Sequence, residues 1–156
     1  QEKQATIAVE WLPFLVDPLE AESDPPNTVV ALAAAEAVRH ANSPEYDKFV
    51  RALLTMAYQE KDDPGSKKIL AVAARVAGID GDDVITRALD PGIDLLLRAT
   101  EAARELGVSR VPTIVRQGPP VYVKTSGAVS YGDPAVRLGL INGMLEDDGI
   151  WELSKP

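Results

Sequence analysis

Residues 102–115 read Ala102-Ala103-Arg104-Glu105-Leu106-Gly107-Val108-Ser109-Arg110-Val111-Pro112-Thr113-Ile114-Val115, and inside this stretch the chain changes its period. Leading into it, Leu96, Leu97, Thr100, Ala103 and Leu106 fall near one stripe of a helix expected from Ile93 to Leu106. Gly107 supplies the left-handed residue on which such a helix stops. Beyond it, Val111 to Val115 starts a strand, Gln117-Gly118-Pro119-Pro120 turns, and Val121-Tyr122-Val123 returns. That is the pattern of a β-hairpin. Asp133 followed by Pro134 is an N-cap and N1 pair. It opens an expected closing helix, Ala135 to Leu145, with Val136, Leu140 and Met144 inward.

Working backward from Ile93, the chain reads as a block of helices. Asp90-Pro91-Gly92 separates the long helix from a short one capped by Asp80 and ending near Leu89. Ser66 caps an earlier helix with Ile69, Leu70, Val72, Ala73 and Val76 inward, and Gly78 stops it. Asp62-Asp63-Pro64-Gly65 is a turn. Ser43 and Pro44 are an N-cap and N1 pair for a helix to about Tyr58, with Phe49, Leu53 and Met56 on one face. Asn27 or Thr28 caps a helix to about Ala41 whose alanines favour helix and close approach. Ahead of a polar loop, Asp17 to Pro26, lies Ala5 to Leu12. Ile7, Val9 and Trp11 share a face there at period two, which predicts a strand. Phe14, Leu15 and Val16 are expected to pack inward, and Trp11 and Phe14 to belong to the core.

The order is therefore strand, helices, hairpin, helix. It predicts a mixed α/β class, with helices packed on a small sheet. The 156 residues fit a single domain, 1–156. A net charge of −8 repels phosphate backbones, so nucleic acid is not an expected partner. No apolar run reaches the length of a membrane span, so no membrane partner is expected either. The chain has no cysteine, which excludes thiol–disulfide exchange, thiolate metal sites and cysteine nucleophiles by its own residues. One histidine, His40, rules out a multi-histidine metal site. The absence of cysteine fits either cytoplasm or an exported, periplasmic location. The polar N-terminus lacks a signal-peptide pattern and an initiator Met, so processing or a missing upstream segment is expected.

The segment 102–115, the hairpin and the closing helix together resemble the C-terminal half of a thioredoxin-like fold, and in particular the DsbA family. The start, Val9-Glu10-Trp11-Leu12-Pro13-Phe14-Leu15-Val16-Asp17-Pro18, is similar to the strand that follows the active-site helix in that family. The helices of about residues 27–91 would be the family's helical insertion. The resemblance spans nearly the whole chain. The family's first strand and the helix bearing Cys-x-x-Cys have no counterpart here, because they would precede Ala5. An incomplete thioredoxin-like sheet would leave two edges facing a gap. The chain is then expected to re-pair its strands, to form a homodimer through an exposed sheet edge, or to draw on an upstream segment.

The resemblance assigns a ligand site at Val111, Pro112 and Thr113. In the family a cis proline at this place turns the preceding residue's backbone toward an extended peptide or glutathione. Gly132 and Asp133 are similar to a pair that holds glutathione's γ-glutamyl end in kappa-class glutathione transferases. The family pattern has Arg after that Asp, whereas this chain has Pro134. Taken by themselves, Pro112 also reads as a trans proline opening an edge strand, and Asp133 reads as an N-cap. His40 reads as a surface residue at a helix C-terminus. Asp62, Asp63, Asp80, Asp82 and Asp83 read as caps and turns, since their spacing lacks the twelve-residue calcium-loop pattern. No catalytic residue, metal or cofactor is assigned. The expected function is a DsbA-like domain without redox thiols, with a residual groove for an extended peptide or a small, glutathione-like thiol. The alternatives are a fragment of a thiol–disulfide oxidoreductase with its cysteines upstream, and a helical protein-interaction domain.

Overall fold

Five of the seven residues from Ala31 to Ala37 are alanine, and this composition sets the packing of the helix that carries them. Alanine loses no side-chain entropy in a helix and lets neighbours approach the backbone. In the computed structural model this helix, α1 (Asn27–His40), has no exposed residue from Val29 to Val38. Residues 11–21, 25–41, 43–109, 111, 113–116, 121–125 and 151–153 are described. Their body is all-helical: α1, α2 (Tyr46–Thr55), α3 (Lys67–Ala77), α4 (Gly81–Leu89) and α5 (Gly92–Glu105), preceded by a 3₁₀ turn at Pro18–Ala21. Through Glu105 the described residues include no strand, so the expected mixed α/β class gives way there to a helical one. Of the expected strand Ala5 to Leu12, only Trp11 and Leu12 are described, and neither is extended into a ladder. None of the described helices is long and apolar enough to cross a membrane.

The chain forms two compact units, residues 1–102 and 103–156. In the first, α1 lies between two apolar clusters. On one side Ala34, Ala35 and Val38 join Phe49 and Leu53 of α2, Leu70 and Ala73 of α3, and Val84 and Ala88 of α4. On the other, Val29 and Ala33 meet Leu15 and Leu96. Phe49 and Leu70 are fully enclosed, and each contributes about 2–3 kcal/mol by leaving water. Leu15 is held by more than apolar contact, because its N–H donates to the Thr100 hydroxyl at 3.2 Å. Trp11, by contrast, is 52% exposed and Val16 58%, against the expectation that both pack inward. The anchoring at Trp11 is through the main chain, whose carbonyl accepts from the Tyr46 hydroxyl.

Helix ends follow local chemistry. Ser66 Oγ accepts from the Ile69 N–H and caps α3, while Asp80 Oδ1 accepts from the amides of Asp82 and Asp83 at 2.9 Å and caps α4. Gly78, at φ 83°, stops α3 with paired bonds from Gly78 N–H to Arg75 O and from Ile79 N–H to Ala74 O. Other ends depart from expectation. Pro26, in extended geometry, precedes α1, and its carbonyl accepts from Val29 and Val30. The Asn27 side chain instead donates to the Asp63 carboxylate, tying α1 to the turn before α3. Ser43 makes a turn, accepting from Glu45 and Tyr46, so α2 begins at Tyr46. The α2 helix also changes pitch at Met56, continuing as a π-helical turn to Glu60. Val76 of α3 and Leu106 after α5 are 61% and 50% exposed, not inward. In α3 the buried stripe is Ile69, Leu70, Ala73, Ala74 and Ala77, which turns Val76 to the flank.

In the second unit, β1 (Thr113–Arg116) and β2 (Val121–Thr125) pair antiparallel, with Thr113 opposite Lys124. A third strand, β3 (Trp151–Leu153), runs parallel to β2. The antiparallel pairing of the expected hairpin is present at these residues, and its turn, 117–120, lies outside the described ones. The expected closing helix, Ala135 to Leu145, lies outside the described residues.

One glycine sets a helix contact. A Cβ on Gly92 would sit 2.5 Å from Arg87 O and 2.8 Å from Ala33 O, so α5 starts hard against α1. Gly92→Ala is expected to lower stability by about 2 kcal/mol or more in urea unfolding. Gly78→Ala, where no atom lies within 4 Å but φ is positive, should cost only about 1 kcal/mol. Equal costs would contradict the close approach.

Candidate functional site

The residues leading to the expected site are positioned by the end of α5. Gly107, at φ 89°, bonds through its N–H to Arg104 O, and the Val108 N–H bonds to Ala103 O at 3.0 Å. This paired closure reverses the chain and seats Val108, which is buried. Three residues later Val111 is 51% exposed, an unusual placement for a β-branched apolar residue entering a strand. Thr113 is half-buried and opens β1. Val111 and Thr113 thus stand on either side of Pro112, with the first offered to solvent and the second in the ladder. Pro112, Gly132 and Asp133 lie outside the described residues, and so does the expected cis bond at Pro112. Among the described residues the cis peptide is Asp90–Pro91. Two of the five expected site residues are therefore placed.

The remaining polar residues singled out in the sequence take local roles. His40 is exposed in the last turn of α1. Asp83 pairs with Arg87 one turn on, at 2.8 Å, and Asp80 is taken up by its two amides. Among the described residues no group of three or more His, Asp or Glu side chains is placed to hold a metal ion.

Two features were not anticipated from the sequence. The first is Glu36, 1% exposed in the middle of the alanine-rich helix. Its carboxylate accepts from Arg39 Nε at 2.9 Å and from Nη2 at 2.6 Å, a two-point pairing. The i, i+3 spacing of an acid and an arginine was the available signal, and a lone Glu among alanines masks it. Such a pair holds a negative charge inside an apolar layer, and only Arg39 reaches water. The second is an open groove of about 470 Å³ along α2, lined by Lys48, Arg51, Ala52, Thr55, Met56, Glu60 and Val76. Its floor is apolar and its ends are charged.

No protein-family model matches the chain, and no curated protein or solved structure does.

The Glu36–Arg39 pair makes a direct prediction. Arg39→Met should strand the Glu36 charge and lower stability by about 2 kcal/mol in denaturant unfolding, below the full buried-pair value because Arg39 is partly solvated. The double change Glu36→Met with Arg39→Met, which leaves no buried polar group, should recover most of that loss. A single change without effect would show that Glu36 reaches water by another route.

Proposed function

We propose that the chain is a thioredoxin-like domain of the DsbA kind that binds an extended peptide or a small thiol compound at Val111–Thr113. The reading is carried by the order α5, Gly107 stop, buried Val108, exposed Val111 and the antiparallel pairing of β1 with β2. That order follows the C-terminal half of the resembled fold. An exposed residue just ahead of a strand offers its backbone N–H and C=O to a ligand in extended conformation, which then binds as a short added strand. Gly132 and Asp133 would meet the charged end of a glutathione-like ligand. No redox step is assigned to this chain, since it has no cysteine to form or break a disulfide. Its activity on this reading is binding, and any electron transfer belongs to thiols elsewhere.

A second reading, a helical interaction domain, is favoured by a different observation. Leu54, Tyr58 and Val76 are large apolar residues on the surface of the helical unit.

Titration of the ¹⁵N-labelled chain with an extended peptide, and separately with glutathione, tests the first reading. The amides of Val111 and Thr113 should shift more than those of α1 to α4. Val111→Asp should weaken binding about tenfold with the helical circular dichroism unchanged. No shift at these amides with millimolar ligand would overturn the reading.

A further inference from the structure

We propose that the groove along α2 binds an acidic, amphipathic peptide segment of a partner protein, which seats an apolar side chain on its floor and sets carboxylates along its rims. Ala52 and Met56, both buried, form the floor, and Val76 of α3 forms the far wall. At about 470 Å³ the groove has room for a side chain the size of leucine or phenylalanine. On the near wall Lys48, Arg51, Ala52 and Thr55 recur at helical spacing and share one stripe of α2. Lys68, Val72, Arg75 and Val76 repeat that spacing on α3. Val76 lines the groove, so the stripe that carries Lys68 and Arg75 borders its other side. Arg51, Lys68 and Arg75 are all exposed.

Charge identifies the occupant. Arg51, Lys68 and Arg75 have no ion-pair partner among the described residues. Lys48 is met by Glu45 at 2.5 Å, while Asp47, one turn before Arg51, is not paired with it. These cations stand unpaired in a chain with 24 acidic residues against 16 basic ones. The charge is segregated along the sequence. From Tyr46 to Ala77 there are six basic and four acidic residues, and in the rest of the chain ten and twenty. A carboxylate-rich partner is therefore repelled by most of the chain and accepted here. Glu60, the one acid that lines the groove, lies past Met56, so it steers the partner's carboxylates toward Lys48 and Arg51. A nucleic-acid backbone would leave the apolar floor empty, and a lipid surface is too flat to enter a groove. An acidic peptide with an apolar face supplies both kinds of contact. The site is independent of Val111–Thr113, because its recognising groups are side chains.

Fluorescence anisotropy of a labelled peptide, with leucines on one helical face and glutamates beside them, should show saturable binding to the full chain. Replacing its glutamates by glutamine, or its leucines by serine, should weaken binding about tenfold. Arg51→Glu and Arg75→Glu, both at exposed positions, should each weaken it about tenfold with the helical circular dichroism unchanged. Glu60→Gln should tighten it. In the ¹⁵N-labelled chain the amides of Arg51, Thr55 and Val76 should shift, while those of Val111 and Thr113 stay in place. No saturable binding at millimolar peptide overturns the proposal. So do equal binding of the glutamine peptide, charge reversals without effect, or shifts confined to Val111 and Thr113, which would instead support the backbone site. Phosphatidylserine vesicles or a single-stranded oligonucleotide that displace the peptide would overturn it in favour of a membrane or nucleic-acid partner.

Discussion

The helical unit depends on one constraint: no residue of α1 from Val29 to Val38 is exposed, and only Val30 and Leu32 are even partly so. A helix covered this far round cannot hold large side chains at every position without forcing its neighbours away. Alanine at five positions resolves this, letting α2, α3 and α4 close on one side while Leu15 and Leu96 close on the other. Each neighbour is then placed by a local device. Gly92 lets α5 begin against the Ala33 carbonyl, and Asn27 ties the start of α1 to the Asp63 turn. The cost of such a helix is that any polar residue on it is buried. Glu36 is that residue, and Arg39 answers its charge while keeping contact with water. Replacing a buried pair by apolar residues is often neutral or stabilising, so the pair contributes little net stability. It does restrict how α1 can rotate, because turning the helix would separate the carboxylate from its partner's path to solvent.

Much of this was legible where the signal is local. Ser66, Asp80, Gly78 and Gly107 act where the sequence placed them, because a cap or a left-handed stop needs only its own few residues. The buried stripe Phe49, Leu53, Met56 was legible for the same reason, since one face of α2 is apolar and the other charged. The face of α3 was less so. Its residues Ile69 to Ala74 and Val76 to Ala77 are all apolar, so period alone does not choose a side, and the packing of α2 and α4 left Val76 out. Trp11 and Val16 misled in another way. Their apolar type predicts burial, but the segment is anchored through Leu15 and through main-chain bonds, which leaves the alternate side chains in solvent.

The candidate site was legible only as a segment of chain. The end of α5 and the start of β1 follow from Gly107 and from the β-branched run after Arg110, both local signals. Which face Val111 would show was not local. It follows from the paired closure at Gly107 and the burial of Val108, which together spend the apolar anchor before Val111 is reached. Gly132 and Asp133 were joined to that segment by resemblance alone, since nothing in their spacing brings residues twenty positions apart together.

The two surfaces differ in the groups they expose. On the proposed reading the recognising groups at Val111 would be backbone N–H and C=O, which accept any extended chain and discriminate mainly through the side-chain pockets beside them. Along α2 the groove sets the exposed charges of Arg51 and Glu60 around the buried Met56. The groove along α2 presents side chains, whereas the segment at Val111 would present backbone on the proposed reading, and only backbone recognition is indifferent to the sequence it meets.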